Sequence, residues 1–471
     1  MGTLTSLLNI ASEALLADQA ALNATANNVA NQSTPGYTRE VTSFESGDSV
    51  TISGGGVQSS GVTATVSSLR DRVLEQRVQQ QTQSTAQSSA LQSALQQVES
   101  IFSLGTDATG SSAVTSSQLG TAINSFFSSL SALESNPSDT STRQNVLTTA
   151  SALAGAFNSA SSQLSQISSS LNQQVSGDVT QVNSLTSSIA ALNAKIASAS
   201  PNGDAGTLED QRQEDIDQLS QLVGLDQIST SQNGISLTTS SGAVLVSGDQ
   251  SFKVSTTQVG GNTDVLAGDP PQDVTANLTG GDLGGALQAR DQYLPSYSTA
   301  LDNLAFSLGS ALNAQNELGV DSSGNPGAAI FSLPTSATGA AASIAVSATS
   351  PGAVAAATSG EGSSGNDNAT ALANLSTQDV VAGQTAVGFL ASFLGQVGSD
   401  ASAATTDSTN QQTALTQLTT QRDALSSVSS DEEASNLTQY QRSYQAASQV
   451  FSIVNTLFAS AINLGVETSV S

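Results

Sequence analysis

Apolar residues recur alternately three and four positions apart at both extremes of this 471-residue chain, over several heptads at each end. At the start the row is Leu4, Leu8, Ala11, Leu15, Leu22 and Val29, with Asp18 and Thr25 in the remaining seam positions. At the end it is Leu437, Tyr440, Tyr444, Ala447, Phe451, Val454, Phe458 and Ala461. Such a repeat draws one narrow apolar stripe along a helix, stable only against another helix. The termini are therefore expected to pair with each other as a coiled coil. No charge falls between Arg442 and Glu467, and only Glu13 and Asp18 precede Arg39, so neither helix carries the charged outer face of a solvated one. An ordinary intramolecular helical hairpin would leave those faces wet. The pattern favours coverage by other subunits, and hence a polymerising or ring-forming chain.

The first helix runs into Ala26-Asn27-Asn28-Val29-Ala30-Asn31-Gln32-Ser33-Thr34-Pro35-Gly36-Tyr37-Thr38-Arg39. Pro35 and Gly36 form a turn dipeptide, and the Asn-rich run before them hydrogen-bonds locally to stop a helix. Helix stop, turn and extended exit follow. The wording closely resembles the amino-terminal signature of the bacterial flagellar axial proteins, the rod, hook and hook-associated families. Val428 to Ala434, followed by Leu437 to Ala447, is similar to their carboxy-terminal signature.

Those signatures are shared across the axial proteins, so the middle must discriminate. Leu133-Glu134-Ser135-Asn136-Pro137, with Arg143 to Leu147, resembles the hook-associated protein 1 family, the hook–filament junction group. So do Leu208 to Arg212 with Leu219 to Gly224, and Gly281 to Leu287 with Arg290-Asp291 and Leu294-Pro295. One departure is Gln213, where the family usually carries an acid after the Gln-Arg pair. The resemblance implies a structural adaptor that forms the junction ring between hook and filament. Its implied partners are further copies of itself, the hook protein, a second junction protein on the flagellin side, an export chaperone and the flagellar type III export apparatus. That route exports unfolded chains with an uncleaved amino terminus, and implies a secreted protein of the extracellular flagellum.

Composition points the same way. Cys, His and Trp are absent, which removes disulfides, thiolate metal sites, the commonest general base and the commonest nitrogen ligand to metals. The net charge of -27 comes from 38 acids against 11 bases, which argues against nucleic acid and against anionic membranes as partners. Arg70, Arg72 and Arg77 form the one cluster of bases, read as a solvated helix face or as one that meets acids on a neighbouring subunit. No secretory signal is visible at the start, and no stretch approaches the roughly 20 apolar residues of a spanning helix.

The fold class expected is mainly α, with paired terminal helices, a long helical-bundle middle domain, and small antiparallel β and Gly-rich inserts at a tip. Helices are expected over Val73–Phe102, Leu119–Leu133 and Arg143–Ile196, the last bent at Gly177-Asp178. Thr207-Leu208-Glu209-Asp210 has the form of a capping box opening a helix to Val223. Further helices run from Gly284 through Leu312, and from Val387 through Leu390, Leu394 and Val397 toward Leu415, Leu418 and Leu425. Alternation at Ile235 and Leu237, then Val244 and Val246, with turns at Asn233-Gly234 and Ser241-Gly242, gives a small antiparallel sheet. The expected division is 1–45 with 426–471 as an inner coiled-coil domain, and 46–225, 281–319 and 370–425 as the helical middle. A β insert over 226–280 and a Gly/Ser/Ala-rich outer insert over 320–369 complete it. A helix from Leu437 to Ala461 would be about 37 Å long. Before assembly its stripe lacks full partners, and the terminal segments are expected to be largely disordered in the monomer.

Motifs that could carry chemistry dissolve on inspection. Asp431-Glu432-Glu433 resembles an acid cluster, but Ser430 and Glu433 have capping-box spacing and acids favour a helix start. Asp321 to Asn325 lacks the bidentate Glu of a calcium loop and reads as a turn. Gly54-Gly55-Gly56 has no phosphate-binding Lys and reads as a flexible loop. No catalytic constellation, cofactor site or metal site is expected. The alternatives are another axial subunit, hook or rod, and, in a different class, a rod-associated peptidoglycan hydrolase. That enzyme would need an acid pair in a cleft of an appended domain, for which short Gly-rich inserts leave little room.

Overall fold

The computed structural model describes residues 2–34, 36–47, 49–52, 56–59, 61–102, 117–199, 205–229, 234–362 and 364–467. Pro35, Gly54, Gly55 and Asn233, named above, lie outside them. The chain opens with helix α1 (Gly2–Asn31), then a hairpin in which β1 (Glu40–Ser46) pairs antiparallel with β4 (Val62–Ser68). Further out, β2 (Ser49–Ile52) pairs with β3 (Gly56–Ser59). The expected helical stretch from 46 onward therefore begins with strands. Val62, Ala64 and Val66 carry the alternation that marks one, and they lie toward the side that meets α1.

Helices α2 (Arg72–Ile101), α3 (Gln118–Ser135) and α4 (Thr140–Ala199) follow. Each starts where a short acceptor side chain satisfies free amides: Asp71 accepts from Val73 and Leu74, Ser117 from Gly120, and Asp139 from Ser141 and Thr142. Helix α4 is not interrupted at Gly177-Asp178. Helix α4 runs unbroken for 60 residues, about 90 Å at the usual rise. Helix α5 (Thr207–Leu222) forms as expected, but Gly206 takes the cap position, with φ +51°. Thr207 lies inside the helix, and Glu209 instead accepts from the Ala205 amide at 3.3 Å.

Two antiparallel sheets lie along α4. One runs β5 (Leu225–Ser229), β6 (Ile235–Thr239), β7 (Val244–Ser247), β8 (Gln250–Ser251) in order; the other has β10 (Asn262–Ala267) between β9 (Ser255–Val259) and β11 (Gln272–Asp273). Asparagines at three-turn intervals on α4 fasten them. Asn172 accepts from the Thr263 amide (2.8 Å), Asn183 from that of Val254 (2.9 Å), and Asn193 donates to the carbonyls of Ile235 and Gly248 (2.9 and 2.7 Å). Helix α6 (Gly281–Gln288) passes through a π turn (Ala289–Tyr293) into α7 (Leu294–Leu318). There the buried Arg290 donates to the Thr263 carbonyl at 2.5 Å and to Asn172 at 2.9 Å.

The stretch 320–369 contributes more to the interior than an outer insert would. Strands β12 (Phe331–Ser332) and β13 (Ala345–Val346) pair, and Ile330, Phe331, Ile344, Val354 and the first half of the short helix α8 (Ala340–Ser343), Ala340 and Ala341, are buried. Asn316 of α7 holds the segment by donating to the Ala328 and Ala353 carbonyls and accepting from Ala355. Asp321 folds back on the amides of Ser323 and Asn325, the turn expected there. Helices α9 (Asp367–Asn374), α10 (Ala386–Ser426) and α11 (Ser430–Glu467) close the chain.

One continuous core joins α2 to α10, the sheets and the 320–369 stretch, through residues such as Ile123, Phe126, Leu130, Phe157, Leu304 and Leu390. Phe102, Tyr297 and Phe393 meet edge to face within it, with ring centroids 5.1 Å and 6.2 Å apart. No described residue of α1 or α11 belongs to that core.

Candidate functional site

The two terminal helices pair with each other, antiparallel: the start of α11 meets the end of α1, where Ser430 Oγ donates to Gln32 and Asn28 donates to Glu433. The β1–β4 hairpin covers a second side of α1, and Phe44 of β1 approaches Tyr440 with ring centroids 5.9 Å apart. On α11 the expected stripe faces inward. Leu437, Tyr440, Ala447, Phe451, Phe458 and Ala461 are half-buried, Val454 is buried, and Tyr444 lies at the exposed edge.

On α1 the expected seam positions Ala11, Asp18 and Thr25 are buried, but the buried positions between them fall one earlier than expected, with Ala21 in place of Leu22 and Asn28 in place of Val29. Ala11, Ala17, Asp18, Ala21, Ala24, Thr25 and Asn28 are buried, while Leu4, Leu8, Leu15 and Leu22 flank them half-buried. Val29 is 43% exposed, and Asn28 takes the inward place. The physical reason is the second neighbour. Small side chains let the hairpin and α11 approach the same helix closely, and the leucines fill the edges of that seam.

Asn28 is the hub of the pair. Its amide donates to the Glu40 carbonyl (2.8 Å) and to Glu433 Oε2 (3.2 Å), while its oxygen accepts from the Tyr37 hydroxyl (2.9 Å) and the Glu40 amide (2.8 Å). Asn27, one position earlier, is exposed; the helix continues past both to Asn31, and Gly36 makes the turn at φ +76°. Burial, then the nearby Glu40, Asp210 and Glu433, pushes the Tyr37 phenol well above its ordinary range, so it stays a donor.

The Glu433 side chain is only 2% exposed and does not fold back as a cap. It accepts from Arg39 Nε at 2.8 Å, and Arg39 also grips Glu432 at 2.8 Å. These bonds, with Glu432 first, raise the guanidinium above its ordinary value. The Arg39 backbone ties both chain crossings as well: its amide donates to the Ser426 carbonyl (2.9 Å), and its carbonyl accepts from Leu69 (2.8 Å). Sequence reasoning gave Arg39 no role and read Glu433 as a cap. A usable signal existed, since Arg39 is the only base among the first 69 residues and the terminal segment carries the acid triplet 431–433.

Of the arginine cluster, Arg70 is used inside the chain, while Arg72 and Arg77 are exposed, as on a solvated helix face. Arg70 is paired with Asp210 and lies 3.7 Å from Glu75, and the Thr38 amide donates to the other Asp210 oxygen at 3.3 Å. The signature turn is thereby docked on α5. Arg72 is mostly exposed, 3.8 Å from Glu209. Among the described residues, no group of three acids, His or Cys is placed to hold a metal.

Comparison with known proteins bears on this architecture directly. A flagellar hook-associated protein 1 of Bacillus subtilis is 30% identical over 502 aligned positions, covering 97% of this chain and 97% of the relative. The chain belongs to the flagellar hook-associated protein 1 family. The Salmonella typhimurium relative of the same name is 28% identical over 70% of this chain and 60% of its own length. The family model for the helical domain of flagellar hook-associated protein FlgK matches residues 108–331. Models for the flagella basal body rod protein and for the carboxy-terminal part of the basal body rod FlgEFG proteins match 8–38 and 422–464. Those two segments hold Asn28, Tyr37 and Glu433, the residues of the hub. A solved structure, the flagellar hook junction protein FlgK from Burkholderia pseudomallei, superposes with a TM-score of 0.67 at 21% identity, over 74% of this chain and 99% of that one, and shares the fold.

Proposed function

We propose that this chain is a structural adaptor of the bacterial flagellum that forms the junction between hook and filament. The observation that carries the reading is a second apolar stripe on the terminal pair. Val450, Ile453, Leu457 and Ile462 on α11 are 44–60% exposed, and Leu7 and Leu16 on α1 are exposed as well. The inward seam is already used within the chain, so the outer stripe needs neighbours. Neighbouring copies in a ring supply them, and Leu4, Leu8, Ala11, Leu15, Leu22 and the α11 stripe form the framework that holds the outer faces in register.

In this reading the hook protein lies on one side of the ring, and a second junction protein and flagellin lie on the other. An export chaperone and the flagellar type III apparatus deliver the subunit to the extracellular flagellum. The role is architectural and uses no cofactor. Among the described residues no helix is long and apolar enough to cross a membrane. A hook or rod subunit, the alternative that the terminal matches allow, does not account for the helical-domain match over 108–331.

The test is genetic. Cells lacking the gene should build hooks, shed flagellin into the medium and regain filaments when the gene is returned. The Phe451→Asp variant should be secreted yet leave filaments unattached. Filaments on the deletion strain, or full complementation by Phe451→Asp, would contradict the proposal.

A further inference from the structure

No described residue of α1 or α11 enters the bundle's core, and polar contacts such as Arg70 to Asp210 and the Thr38 amide to Asp210 dock the terminal pair on the bundle. The chain crosses between the two regions at residues 69–71 and 427–429, and the signature turn rests on α5 beside them. A cavity of about 320 Å³ lies at this meeting point, lined by Thr34, Gly36 and Tyr37 from the turn, Glu75 from α2, Asp217 from α5 and Arg422 from α10. It is roomy enough for water.

Glu75 and Asp217 are the shielded carboxyls of its lining, while Asp423 is exposed and pairs with Arg422. Gln213 Nε2 donates to Asp217 at 2.9 Å, at the position where an acid would instead add repulsion. Arg70 faces Glu75 at 3.7 Å, and Arg422 attracts both acids. Asp210 opposes charge on Glu75, Glu214 opposes charge on Asp217, and Arg212 lies within reach of Glu75. Asp423 and the Tyr37 phenol complete the ionisable lining. Burial outweighs the cations: it pushes Glu75 up to about 7 and Asp217 up to about 6.

We propose that this cavity is a proton-operated joint: neutral Glu75 and Asp217 hold the terminal pair against the bundle, and their ionisation frees it to swing. The sign follows from linkage. Both acids bind protons more tightly when docked than when hydrated, so docking is firmest below their ordinary range and weakens as pH rises through about 6 and then about 7. Opening removes the turn that shields the two carboxylates and hydrates them.

The chain has no native cysteine, so a spin-label pair can be placed freely. Ser443→Cys on α11 and Ser187→Cys on α4 are both exposed. Double electron–electron resonance on the full-length monomer should give a narrow distance distribution at pH 5.5 and a broad one at pH 8. The E75Q/D217N variant should stay narrow at both, and E75Q alone should shift the midpoint, while D178N, which changes a buried acid on α4 outside the joint, should keep the parent response. Circular dichroism checks that each variant folds, and E75Q alone carries the test if the double variant does not. Equal widths at both pH values overturn the joint, as does broadening of E75Q/D217N like the parent or loss of the response in D178N.

Discussion

Along α4 the large apolar positions from Val146 through Phe157, Leu164, Val175 and Ile189 to Ile196 are all covered by other parts of the same chain. Along α11 the same helical spacing leaves Val454 buried and most of the inward stripe half-buried, with Val450, Ile453 and Leu457 facing out. The two regions differ in how many apolar faces each helix has and how many of them the chain can cover. The bundle is finished by its own sequence. The terminal pair has one seam closed by a buried ionic latch and one face left open, and covering each exposed side chain there would contribute about 1 kcal/mol.

The contrast breaks first if the bundle proves dispensable. Phe157→Ala should cost about 3–5 kcal/mol in urea unfolding, since it empties a closed core. Arg39→Met should act locally instead. It strands the buried Glu433 carboxylate, at about 3 kcal/mol, and should speed amide exchange in α1 and α11 without moving the bundle's unfolding midpoint. A large midpoint shift would mean that the regions are coupled. Asp178 sharpens the bundle side: burial, then Asp282, pushes it up to about 6, so the native protein loses stability as pH rises through that value. Asp178→Asn should remove that slope, gaining about 2 kcal/mol at pH 8 and almost nothing at pH 4. Ile453→Ser should change monomer stability least, by less than about 0.5 kcal/mol, because the side chain is exposed. It should nevertheless reduce self-association measured by sedimentation.

Most helices were legible because their apolar spacing is local, as in Leu164, Ile167 and Leu171 or Leu390, Leu394 and Val397. The long helix was too, and at Gly177 a glycine's propensity cost is overridden by packing along both flanks. The β1–β4 hairpin was missed because the outer face of β4 is Ser and Thr, and the hairpin's inner face meets the terminal helices rather than a core. The latch could not be read from neighbours in sequence, since Asn28 and Glu433 lie 405 positions apart. The displaced seam on α1 has a related cause: a heptad search weights Leu22 and Val29 over Ala21 and Asn28, and small residues gain their value only when two partners close on them.

Hydrogen exchange on the dilute monomer and on the assembled junction tests the account most directly. The prediction is exchange in the monomer that is faster over 2–31 and 430–467 than over α4, and strong protection of all three once copies assemble. Protection of the terminal helices equal to that of α4 in the isolated monomer would contradict it, because the pair would then be complete without neighbours.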